Sequence, residues 1–172
     1  MKELFETLAE YNRRTNQEVM TILQDLEPEQ LSRRIGGFFG SITGTANHVL
    51  LSDIGWLRRF AHGCSVLSEL RDTIPDVKAD HLTDTPWIDL NSLRPVREEV
   101  DALLQRTVHT IAQHDLSLQL RYVDSRGQHH EKTLWIALLH VFNHQTHHRG
   151  QIALMLDELG IDNDYSNLVW KF

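Results

Sequence analysis

Four stretches of this chain repeat apolar residues at three- and four-residue steps, and that periodicity limits the fold more than any other feature. The first is Leu4, Leu8, Tyr11, Thr15, Val19, Ile22 and Leu26, which predicts a helix over residues 2–25 with Pro28 marking its exit. The second follows the turn Gly36-Gly37-Phe38-Phe39-Gly40, where two aromatic rings are expected to act as anchors. Ser41 reads as its N-cap, and Ile42, Ala46, Val49, Trp56, Leu57 and Phe60 form its apolar face. The third starts near Ser92, with Pro95 placed in its first turn, and carries Val96, Val100, Leu103, Leu104, Val108 and Ile111 to an end near His114. The last runs from about Thr133 to Leu159, with Gly160 as the residue that closes it.

Between the third and fourth stretches the period changes to two. Leu116, Leu118, Leu120 and Tyr122 alternate with polar residues, Asp124 to Gly127 is a turn, and His129 to Lys132 returns as a second strand. Residues 62–91, with Gly63, Pro75 and Pro86, read as a long loop with short helical turns, of a length that suits a lid. The expected fold class is all-α: a four-helix bundle with a small β-hairpin between the third and fourth helices, in one domain over residues 1–172.

Composition narrows the function classes. The net charge is -7 with histidine neutral, which argues against a nucleic-acid partner, since duplex binding relies on a cationic surface. No apolar run approaches the roughly 20 residues of a membrane helix, and the N-terminus lacks the apolar core of a signal peptide. No membrane partner and a cytoplasmic location are therefore expected. The single cysteine, Cys64, precludes an internal disulfide and reads as structural or incidental.

The eleven histidines are the unusual feature, and six of them lie between His129 and His148. Histidine is the commonest metal-ligating side chain. His144 and His148 are four residues apart, so on a helix they point the same way and reach one ion. On the helical wheel His148 falls within the core stripe and His144 at its edge, while His140 and His147 turn toward the rim. The pair His140 and His144 has the same spacing, so the register remains open at this point. A third ligand is expected from a facing helix, as bundle metal sites are built across helices, and His48 is the candidate. His62, His81 and His109 lie in a loop or near a helix end and suit the role less well. The protease motif His-Glu-x-x-His is not met, because Gln145 stands after His144 and has no titrating base. Asp53 and Arg149 read as solvated helix-surface groups, with outer-sphere support and anion recognition as the functional alternatives.

The segments Phe39 to Leu50 (FGSITGTANHVL) and Phe142 to Gln151 (FNHQTHHRGQ) resemble the second- and fourth-helix signatures of the DinB-like superfamily, which includes the YfiT-like and maleylpyruvate-isomerase-like groups. The resemblance extends over nearly the whole chain. It implies a zinc or nickel ion held by His48, His144 and His148, with His147 in an adjacent position that is not usually a ligand. It also implies damage-inducible expression, pairing as a homodimer through helices, and a transferase or isomerase activity that uses a low-molecular-weight thiol on a small-molecule substrate. A non-catalytic metal-binding stress protein and a metal-dependent hydrolase are the alternatives.

Overall fold

Periodic burial produces the four long helices. The computed structural model describes residues 1–172. Its long helices are α1 (Lys2–Gln24), α3 (Ile42–Gly63), α4 (Leu90–Thr110) and α5 (Leu134–Glu158), with a one-turn α2 (Pro28–Ser32) between the first two. The strands β1 (Gln119–Val123) and β2 (His129–Thr133) form the hairpin before α5. Helix α1 packs along α4, and α3 packs along α5. One contiguous cluster of 37 buried residues takes members from all four, including Leu23, Leu57, Leu104 and Leu138.

Local chemistry explains where the elements begin and end. Ser41 caps α3 as expected: its Oγ accepts from the Gly44 backbone N–H at 3.1 Å. Gly160 adopts φ 71° after α5, with Gly160 N donating to the Asp157 carbonyl and Ile161 N to the Leu156 carbonyl. That bond pair is the Schellman closure, and it needs a residue free of the Cβ penalty at positive φ.

Several boundaries differ from the sequence expectation. Pro28 opens α2 rather than only ending α1, because a proline at N1 loses no intrahelical bond and Glu27 and Gln30 complete a capping box around it. Helix α4 starts at Leu90, two residues before the expected Ser92, because Asp89 caps it by accepting from Ser92 N at 2.8 Å. Pro95 therefore lies beyond the first turn, and it brings no N–H to the helix ladder there. Leu116 and Leu118 are not in the strand. A 3-10 turn at Asp115–Ser117 precedes β1, and another at Ser65–Thr73 occupies the start of the expected long loop.

The hairpin is fixed to the C-terminal half of α3. Gly63 allows this: a Cβ there would sit 2.3 Å from the Arg121 carbonyl oxygen. Leu120 is fully buried and Tyr122 meets Trp56 edge-on, with 5.3 Å between ring centres. No helix is long and apolar enough to cross a membrane.

Candidate metal centre

Helices α3 and α5 run antiparallel, so His48 meets His144 and His148 while Trp56, two turns further on, meets His140. The structure brings His48, His144 and His148 together, with one donor nitrogen from each lying within 4.8 Å of the others. The Nε2 atoms of His48 and His148 approach His144 Nε2 to 3.2 and 3.0 Å. Tetrahedral ligands at zinc–nitrogen bond lengths are separated by about 3.3 Å. His140 remains exposed, with its ring centre 5.9 Å from that of His144, and His147 is exposed beside His148. The register left open by the sequence is thereby settled: the inward pair on α5 is His144 and His148.

Hydrogen bonds set the tautomers. His48 Nδ1 lies 3.0 Å from the Leu82 carbonyl, which can only accept, so Nδ1 carries the proton and Nε2 a lone pair. His148 Nδ1 lies 2.7 Å from Gln151 Oε1, with the same consequence. These are the outer contacts that orient imidazole ligands in metal sites. His144 Nδ1 is buried without a partner. If His144 donates through Nε2, it answers only one of the two facing lone pairs, whereas a single cation between the rings answers all three. The donor set therefore fits a divalent transition-metal ion.

Burial lowers the pKa of all three imidazoles. His144 falls to about 3, through desolvation first and then the neighbouring His148 and His48. His48 and His148 are also held below the ordinary value by burial, although the Leu82 carbonyl and Gln151 each work against it. Neutral imidazole is the ligating form.

Phe39 closes one side of the cluster. Its ring stacks on His48 at 3.8 Å and 19° and meets His148 edge-on at 5.6 Å. The turn that presents it bends at Gly37 and Gly40, both with positive φ, and Gly44 lets it lie close, since a Cβ there would be 2.4 Å from the Phe39 carbonyl oxygen. Only one of the two expected aromatic anchors is formed, because Phe38 is exposed. Phe39 and Gln151 both lie within segments the sequence singled out, while Leu82, in the unpatterned loop, carried no signal. His62 and His109 lie outside the cluster, and His81 lines a neighbouring cavity.

Directly beneath the site, the surface roles expected for Asp53 and Arg149 are replaced by burial. Asp53 is 1% exposed and Arg149 5%. Arg97 bridges two carboxylates, Asp53 at 2.6 Å and Asp101 at 2.9 Å. Gln145 donates to Asp53, and Arg149 donates to Asn12 at 2.5 Å, while Asn12 and Asn16 donate to Asp101. Two cations and two anions, on α3, α4 and α5, thus cancel in the bundle interior, and α1 adds the neutral donors Asn12 and Asn16. Burial pushes the Asp53 carboxyl up to about 6, with Arg97 opposing it. Cys64 is buried at the C-cap of α3, as a structural residue would be.

A helical bundle whose facing helices converge three imidazoles, at a separation able to hold a metal ion, defines the class of this protein. The DinB family model matches residues 1–171. The chain is also 29% identical over 157 residues to the protein named Protein DinB of Bacillus subtilis (strain 168), covering 89% of this chain and 84% of that one. The chain belongs to the DinB family.

Proposed function

We propose that His48, His144 and His148 hold one divalent transition-metal ion, zinc or nickel, and that the centre serves a transferase that uses a low-molecular-weight thiol. The observation that carries the reading is the convergence of the three Nε2 atoms, with the tautomers of His48 and His148 fixed from outside. Three neutral ligands leave the ion's charge uncompensated and coordination positions open, the pattern of reactive rather than structural sites. Such an ion supplies Lewis acidity that brings a thiol, ordinarily near pKa 8.5, into its ionised form at neutral pH. The residues of the chain hold the geometry: Leu82 and Gln151 fix two ring orientations, and Phe39 screens one face from water.

Thiol chemistry is favoured over hydrolysis by what surrounds the rings. None of the side chains that bond to or stack on the three imidazoles is a carboxylate. Asp53, the carboxylate under the site, is committed to Arg97 and Gln145. A water nucleophile would therefore have to be ionised by the metal alone, from a pKa of about 15.7, whereas a thiol needs only a modest shift from about 8.5.

Cobalt substitution tests the reading. Glutathione, bacillithiol, mycothiol or a simple thiol is expected to add a sulfur-to-metal charge-transfer band in the near ultraviolet. A cobalt spectrum indifferent to all of them removes the thiol reading and leaves a non-catalytic metal-binding protein.

The lowered imidazole pKa values give a pH dependence. Protons compete with metal only below the pKa of each free ligand, so lowering that pKa moves the competition to more acidic solution. Three imidazoles at the ordinary 6.5 would weaken binding roughly 600-fold between pH 7 and 5.5. Here His144 at about 3 drops out of the competition and His48 and His148 are held lower as well, so calorimetric titration at the two pH values is expected to show a loss below the roughly 70-fold that two unshifted imidazoles would give. A loss of several hundredfold would show that the free imidazoles are not desolvated as the structure has them.

A further inference from the structure

One stripe of α3 connects the metal cluster to an unsatisfied cation. At 100° per residue, His48, Ser52, Gly55 and Arg59 fall within an arc of about 60°. The floor of this stripe is low: Ser52 is small and buried, and a Cβ at Gly55 would meet nothing within 4 Å. A cavity of about 410 Å³ opens beside it, lined by Gly55, Arg58, Val77, His81 and Leu82 among others. Leu82 is the residue whose carbonyl holds His48, so the cavity ends one residue short of the cluster, with Gly55 as its member of the stripe. On the other side, Trp56 lies 5.0 Å from His140, whose ring lies 5.9 Å from that of His144.

Arg59 stands at the far end. Its guanidinium lies 4.7 Å from the ring centre of Trp56 and 5.4 Å from that of Tyr122. It is half-buried, and no residue of the chain accepts a hydrogen bond from it or forms an ion pair with it. The carboxylate best placed to answer it, Asp124, is engaged by His130 at 2.8 Å and by the backbone N–H groups of Arg126 and Gln128. Trp56 is three residues before Arg59, so the side chain leans back along the helix toward His48.

We propose that Arg59 is the anion-recognition residue for the ligand of the metal site, taking the carboxylate of an elongated small molecule whose donor atom reaches the histidine cluster over Ser52 and Gly55. The eleven-residue separation is about 16 Å along the helix, and the backward lean of Arg59 leaves a span on the order of 10 Å. A carboxylate suits this end better than a phosphate. One planar guanidinium matches it in a bidentate fork, whereas phosphate sites gather backbone N–H groups or several cations, and none converge here. The Trp56 and Tyr122 rings, which pack edge-on against each other beside the guanidinium, keep the fork in place and shed water from it. For the thiol reading above, on which the connection to the metal rests, the substrate class becomes a thiol with a carboxylate of roughly di- to tripeptide reach.

Two measurements separate the anion site from the thiol reading. In protein labelled with nitrogen-15 at arginine, and loaded with zinc or left metal-free, suberate should shift the Arg59 Nε–H resonance saturably. Inorganic phosphate at equal ionic strength should leave it nearly unmoved, and loss of the signal in Arg59→Gln assigns it. In cobalt-loaded protein, ω-mercaptoalkanoic acids spanning on the order of 10 Å should bind roughly tenfold tighter than mercaptoalkanols of equal length. Arg59→Gln should erase that preference while keeping metal stoichiometry. An Arg59 resonance indifferent to suberate overturns the proposal, whatever the thiols do, and leaves Arg59 a packing residue on Trp56. A suberate shift in protein whose cobalt sphere admits no thiol keeps the anion site and removes the thiol reading.

Discussion

Alanine at His48, His144 or His148 is expected to reduce metal content from one equivalent to near zero, while alanine at His140 or His147 leaves it near one. Each member of the first group contributes an Nε2 atom to the cluster, and no fourth side chain stands ready to replace it. The loss in affinity should exceed the 10- to 100-fold typical when only an outer partner of a ligand is removed. His140 and His147 are exposed, so removing them takes nothing from the three converging atoms. Metal analysis after dialysis gives the first measurement. Thermal melting gives the second, because an ion that binds only the native state stabilises it by RT ln(1 + [L]/Kd). Wild type and the two rim variants should lose that increment on chelation, and the three ligand variants should show none to lose. Metal retained by His148→Ala and lost by His140→Ala would mean that α5 presents a different face.

Arg97→Leu is expected to cost about 3–5 kcal/mol of folding stability, because it removes one partner of a buried ion pair and leaves the others in place. Asp53 then keeps only Gln145, and Asp101 keeps only Asn12 and Asn16. The interior passes from two cations and two anions to a net charge of minus one. Adding Asp53→Asn to Arg97→Leu restores the balance, so the double variant should recover part of the loss, a positive coupling that a double-mutant cycle in urea would read. The sign with pH follows from Asp53. Its folded pKa, already raised to about 6, rises further without Arg97, and an acid with a raised folded pKa binds its proton in the native state first. The deficit of Arg97→Leu should therefore be largest above neutrality and shrink as pH falls through that pKa. A deficit below about 1 kcal/mol at pH 7.5 would show that the network is hydrated rather than buried.

The metal cluster and the buried charge network meet on one helix. On α5, His144 and His148 face the ion site, while Gln145 and Arg149 face the polar interior, each pair at a spacing of four. The network fixes the rotation of α5 against α1, α3 and α4, and that rotation aims the two imidazoles at His48.

The sequence by itself determined the helices and the spacing of the site. Apolar recurrence, the Ser41 cap, Gly160 and the i, i+4 histidines are local properties, and a helix turns 100° per residue wherever it forms, so they can be read from a single segment. The same wheel argument put His148 and His48 beside apolar stripes that must turn inward, but it left the pair His140 and His144 open until α5 was packed against α3. The tertiary structure alone decided the meaning of the polar residues. Asn12 with Asn16, Arg97 with Asp101 and Gln145 with Arg149 each have the spacing of an ordinary surface pair, and Asp53 carries no pattern at all. They are buried because charges and donors from other helices cancel them, and that cancellation is written in no one segment. The Leu82 carbonyl that sets the His48 tautomer and the arrangement of aromatic rings around Arg59 are of the same kind, since a loop without periodicity and a hairpin take their places only after the bundle has formed.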